Sequence, residues 1–100
     1  MIKHIVMFKL KERADGRDRA DNIKALQAML EALPAKIKEI VFFEVGINFL
    51  EASIAYDLVL VSEFKSREAL YSYQKHPEHI KVFDFVSKTC ESRIVVDYAL

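Results

Sequence analysis

The chain opens on an alternation. Ile2, His4, Val6, Phe8 and Leu10 share one side of an extended segment, and Lys3, Ile5, Met7 and Lys9 share the other. A period of two marks a β-strand. Ile5 and Met7 occupy the centre of the second side, so neither face suits water and both need cover. Residues 11–21 are largely charged and include Gly16, which reads as a loop or a frayed helix start. Ile23, Leu26, Met29, Leu30 and Leu33 then recur at three- and four-residue steps, with Asp21, Lys24, Gln27 and Glu31 outside them, the pattern of an amphipathic helix. That helix is expected to stop at Leu33, because Pro34 pushes the residue before it out of the helical region.

Residues 39–47 are rich in β-branched and aromatic side chains and predict a second strand ending near Gly46. Residues 48–53 are its connection onward. Tyr56, Leu58, Leu60, Ser62 and Phe64 alternate with Asp57, Val59, Val61 and Glu63, giving a third strand. The short link makes it the antiparallel neighbour of the second. Ser66 is placed to cap a helix whose apolar face begins with Ala69, Leu70 and Tyr73, and Glu68 falls in its first turn. Pro77 forces a turn at His76, after which His79, Val82, Phe83, Val86 and Cys90 continue a helical stripe. Residues 93–98 close the chain as a fourth strand.

The order βαββαβ within one domain spanning residues 1–100 predicts an α+β, ferredoxin-like fold, with a four-stranded antiparallel sheet and both helices on one face. The side away from His4 still presents Ile5 and Met7 from the first strand and Val59 and Val61 from the third. Such a patch predicts a homodimer through the open sheet face.

Composition narrows the partners. Fifteen basic and fifteen acidic residues cancel without long blocks of either sign, which argues against a nucleic-acid backbone or an anionic membrane surface. No segment has the run of apolar residues that a spanning helix needs. The one cysteine, Cys90, has no partner for an internal disulfide, and no signal peptide is seen before the first strand, so a cytoplasmic location is expected.

Candidate chemistry concentrates in residues 71–80, which hold two of the three histidines, one of the two prolines and a pair of tyrosines. His79 can serve as a general base with Tyr73 as its partner, or it can simply tether the elbow. Tyr73 shares a helix face with Leu70, where plain packing is the alternative. His4 lies on the apolar, helix-facing side of the first strand, either as a ligand contact or as a satisfied structural group. The spacing of His76 and His79 invites a metal, but Pro77 between them separates the rings, and no metal site is expected. With no glycine-rich phosphate loop either, no cofactor is expected.

The segments His4-Ile5-Val6-Met7-Phe8-Lys9, Gly46-Ile47-Asn48, Phe64-Lys65-Ser66, Tyr73-x-x-His76-Pro77-x-His79 and Asp97-Tyr98 together resemble the stress-responsive dimeric A/B-barrel family, Dabb. The resemblance implies a homodimeric α/β-barrel in which two four-stranded sheets pack face to face with helices outside. Its best-understood enzyme is a plant polyketide cyclase that makes olivetolic acid, with a histidine and a tyrosine as acid-base pair in a pocket between sheet and helices. The matching positions here are His79 and Tyr73, and a further pocket histidine matches His4. Another pocket histidine of the cyclase falls at Leu58, which removes a polar group and leaves an apolar floor. The expectation is therefore a small homodimer binding an apolar or aromatic molecule beside His4, Leu58, Tyr73 and His79. The alternative is a cofactor-free cyclase-like enzyme using His79 and Tyr73.

Overall fold

The computed structural model describes residues 1–100. Strand β1, Ile2–Leu10, runs through the centre of the molecule with His4, Val6, Phe8 and Leu10 buried on one side. Residues 11–21 hold more structure than their charge suggests. Strands β2 (Arg13–Ala14) and β3 (Arg17–Asp18) pair as a miniature hairpin. Its two-residue turn is Asp15-Gly16, with φ of 53° and 76°, the double left-handed geometry that an Asp-Gly pair tolerates. Asp18 then caps helix α1, Arg19–Glu31, by accepting from the Asp21 amide at 2.9 Å. Asn22 is fully buried and donates from Nδ2 to the Ala14 carbonyl, tying hairpin to helix.

Helix α1 ends at Glu31, short of Leu33, and the chain tightens into a 3-10 turn over Leu33–Ala35 that carries Pro34. Leu33 and Ile37 plug the end of the core from there. Strand β4, Phe42–Ile47, starts three residues later than expected, and β5, Leu58–Phe64, two residues later. They pair antiparallel, as the short link predicts. Ser66 caps helix α2, Arg67–Lys75, by accepting from the Ala69 amide at 3.1 Å. His76 is extended (φ −63°, ψ 137°), and helix α3, Pro77–Thr89, restarts immediately after it. Strand β6 is longer than expected, Cys90–Ala99. Cys90 therefore caps α3 and opens the strand instead of extending the helical stripe.

The sheet order is β4-β5-β1-β6 with every neighbouring pair antiparallel. This is the ferredoxin-like arrangement, with the second helix broken in two by Pro77. The core lies between sheet and helices: Val6, Phe8, Leu10, Leu58, Leu60 and Phe64 from strands meet Leu26, Leu30, Leu70, Tyr73, Val82 and Val86 from helices. No helix is long and apolar enough to cross a membrane.

The register sets out the other face of the sheet in rows. Ile5 lies between Val61 and Val96, and Met7 between Val59 and Ile94. Ile94 and Val96 are exposed, as are Met7 and Phe42. The patch expected from the sequence is present, and β6 enlarges it.

Candidate functional site

Strands β1 and β6 and helices α2 and α3 converge on one cavity. On the helix-facing side, β1 presents His4, and β6 places Asp97 directly opposite it. His4 Nδ1–H donates to Asp97 Oδ1. On the other flank, Ser62 Oγ–H donates to the His4 carbonyl at 2.9 Å, so the backbone beneath the imidazole is also held. Helix α2 lowers Tyr73 onto this pair. Its ring centroid lies 6.3 Å from that of His4 and 4.6 Å from that of His79, with Phe64 at 4.8 Å behind it.

The elbow aims the second histidine. His76 is occupied as the cap of α3, its Nδ1 accepting from the Glu78 amide at 3.1 Å. His79, one turn further on, donates from Nδ1 to the Gln74 carbonyl at 3.0 Å. A carbonyl can only accept, so the proton of the neutral ring is on Nδ1 and Nε2 carries the lone pair. The same logic applied to the Asp97 carboxylate leaves His4 Nε2 as an acceptor when that ring is neutral.

These groups border a cavity of about 360 Å³ between β1, β6 and α3, walled by Val6, Leu60, Val82 and Val86 among others. Phe83, Val95 and Arg93 stand at its mouth, where all three are exposed. The one fully enclosed side-chain polar atom without a hydrogen-bond partner is Asn22 Oδ1, and Asn22 does not line this cavity. No protein hydrogen bond engages the Tyr73 hydroxyl or either Nε2, and all three residues line the cavity. Burial pushes the Tyr73 phenol well above its ordinary pKa, so it stays protonated and can donate. Burial also lowers His79, opposed by its bond to Gln74 and reinforced by the nearby charges of His4 and Arg93, which keeps the ring a neutral base.

The sequence profile of the Stress responsive A/B Barrel Domain, Dabb, matches residues 2–100. The chain belongs to this family. It is 30% identical to a stress-response A/B barrel domain-containing protein of Arabidopsis thaliana over 98% of its own length, which spans 36% of that larger protein. A dimeric protein of unknown function with a ferredoxin-like fold, from Bacteroides fragilis, superposes with a TM-score of 0.80 at 35% identity, covering 99% of this chain and 95% of that one. A hydroxynitrile lyase from Passiflora edulis superposes equally well, at 0.80, over 99% of this chain and 92% of its own. At 17% identity that likeness is one of fold.

Within this Dabb chain the structure gathers His4, Tyr73 and His79 around one void and turns His76 away from it. Leu58 requires correction. It is buried on the helix-facing side but pairs with Phe8, four residues from His4 along β1, and does not line the cavity. Leu60, opposite Val6, is the floor instead. Asp97, which the sequence alone marks only as part of a strand end, is the partner of His4. The clue lies in the topology. Flush pairing of β1 and β6 puts Ile2 opposite Ala99 and thus His4 opposite Asp97.

Proposed function

We propose that this Dabb protein is a homodimer that binds an apolar or aromatic small molecule with one polar group, held between sheet and α3. The observation that carries this reading is that His4, Tyr73 and His79, whose Nε2 and hydroxyl atoms have no protein partners, line one cavity together with Val6, Leu60, Val82 and Val86. Buried polar groups are ordinarily paired, and a ligand bearing a hydroxyl or carbonyl pairs them. The volume falls in the range of small-molecule pockets. An NMR titration with 4-butylphenol tests it: Tyr73→Phe should weaken binding roughly three- to tenfold, the value of one neutral hydrogen bond. Equal affinity for both proteins, or no shift of any cavity residue, would remove the reading.

The homodimer is proposed through the open face of the sheet, where leaving each large apolar side chain in water costs about 1.5–3 kcal/mol. The dimeric relative from Bacteroides fragilis supports it. The free, half-buried Cys90 fits a reducing compartment, and we place the protein in the cytoplasm.

A second reading, a cofactor-free enzyme acting on a carbonyl compound, is favoured by the state of His79. A neutral ring with its lone pair on Nε2 can take a proton from the carbon next to a carbonyl, while the Tyr73 hydroxyl donates to the oxygen that becomes negative. Asp97 would stabilise a positive charge on His4 if that imidazole takes the proton instead. Deuterium uptake at the α-carbons of 4-phenyl-2-butanone in D2O, above the rate without protein, supports catalysis. Binding without exchange leaves the binding reading alone.

A further inference from the structure

Strand β6 sends Arg93, Val95 and Asp97 to the cavity from one side of the sheet. The two charged ends of this row are in different states. Asp97, exposed like Arg93, is engaged by His4. Arg93, four residues away and so roughly 13 Å along the strand, has its guanidinium carbon 4.7 Å from the centroid of the Phe83 ring. An aromatic face holds a guanidinium flat and leaves its N–H edge free for a planar anion. The chain's ion pairs use Lys3, His4, Arg17, Lys36 and Lys81, and none uses Arg93.

Arg93 is also the only lysine or arginine that borders the cavity. The shallow depression formed by Gln74, His79, Ile80, Phe83 and Arg93 carries this cation up to His79 at the mouth. A free cation at one end of a cavity walled mainly by apolar side chains, with His4 and Asp97 at the other end of the β6 row, selects a particular ligand shape. We infer that Arg93 is the anion anchor of the pocket and that the ligand is a carboxylic acid, its apolar body in the cavity and its carboxylate paired with the guanidinium at the mouth. A single fixed cation matches a singly charged, planar anion. A phosphate dianion is disfavoured because Asp97 adds negative charge to the same row and no second cation offsets it.

This inference rests on the pocket reading proposed above, and its test separates the two. Isothermal titration would compare 4-butylbenzoate with 4-butylbenzamide, and octanoate with octanamide, on the dimeric protein, on Arg93→Gln and on Arg93→Lys. The pairs differ in charge but little in shape, and the aryl and alkyl arms tell an aromatic body from an aliphatic one. An acid should bind at least about tenfold more tightly than its amide, as expected for a charge-assisted bidentate contact. Arg93→Gln should bring that ratio to within about twofold by weakening the acid alone, and Arg93→Lys should retain part of it. Acid and amide binding equally well to the unmodified protein overturns the anchor while the pocket stands. Acid preference that survives Arg93→Gln overturns it as well. If neither member of either pair binds, the pocket reading falls and the anchor with it. Because Arg93 is exposed and outside the core, the variants should keep the melting temperature of the parent. The ratio measured across a salt series on the unmodified protein gives an independent check, since preference that rests on charge must shrink as salt rises.

Discussion

His79 donates from Nδ1 to the carbonyl of Gln74, 3.0 Å away on the far side of Pro77. The ring thus belongs by its backbone to α3 and by its hydrogen bond to α2. Proline removes one helical amide and forces His76 out of the helical region, and the break lets a carbonyl in the last turn of α2 orient a side chain in the first turn of α3. An uninterrupted helix would have used that carbonyl in its own ladder. The elbow is therefore how this chain sets the tautomer of a cavity histidine.

Replacing His79 by alanine should weaken binding of 4-butylphenol by roughly tenfold or less, the scale of one neutral hydrogen bond, while leaving the protein folded. A half-buried ring on the first turn of a helix contributes less to packing than the core residues beneath it. Thermal melts and NMR titrations on the same sample decide the matter. A large fall in melting temperature with unchanged affinity would mean that the ring is only a hinge pin.

Acid should destabilise the protein through His79 in a defined window. The folded-state pKa lies below the ordinary 6.5 because burial disfavours the imidazolium. The unfolded chain therefore binds the proton more readily, and stability rises with pH wherever it does so. The His79 contribution is complete above about pH 6.5, is lost as pH falls from there through the folded value, and is flat below that. Denaturant midpoints measured across this range should slope for the parent and flatten in that window for His79→Ala. A direct NMR titration of the ring should show a midpoint below that of free histidine.

Asp97→Ala removes the acceptor of His4 Nδ1–H and strands a donor that is otherwise well buried. Stability should drop by about 1–3 kcal/mol. The 15N spectrum of the His4 imidazole should change from one dominant tautomer to a mixture. An unaltered spectrum would show that Asp97 does not orient the ring.

Val59→Lys places a charge in the Met7–Val59 row of the open sheet face, away from the cavity. Sedimentation at micromolar concentration should show the parent as a dimer and the variant as a monomer or an aggregate, with ligand contacts in each chain's own cavity unaltered. A parent that sediments as a stable monomer would fall outside the proposed assembly.

Much of this architecture is legible in one dimension because its causes are local. The period-two pattern of Ile2 to Leu10 places His4 on the inner face. Ser66 announces a helix, since its hydroxyl satisfies an amide three residues on, and Pro77 announces the elbow because its ring constrains the chain whatever surrounds it. The surplus of apolar residues on the sheet's second side is visible by the same alternation. The Asp15-Gly16 hairpin is equally local and is encoded in that dipeptide, but the charge around it masks the signal.

What only the tertiary structure decided are the relations between distant segments. The His4–Asp97 bond joins residues ninety-three apart, and it depends on which strand neighbours β1 and in what register. A shift of one residue would have turned Asp97 to the opposite face. Leu58 and Leu60 are indistinguishable in the alternation, and only pairing with Phe8 or Val6 decides which of them floors the cavity. Arg93 is no more than the start of a strand until α3 lays Phe83 against it. Local sequence sets which way a side chain points, because backbone geometry alternates by itself. What that side chain meets depends on pairing across the sheet and on how helices dock, and those are settled by the packing of the whole chain.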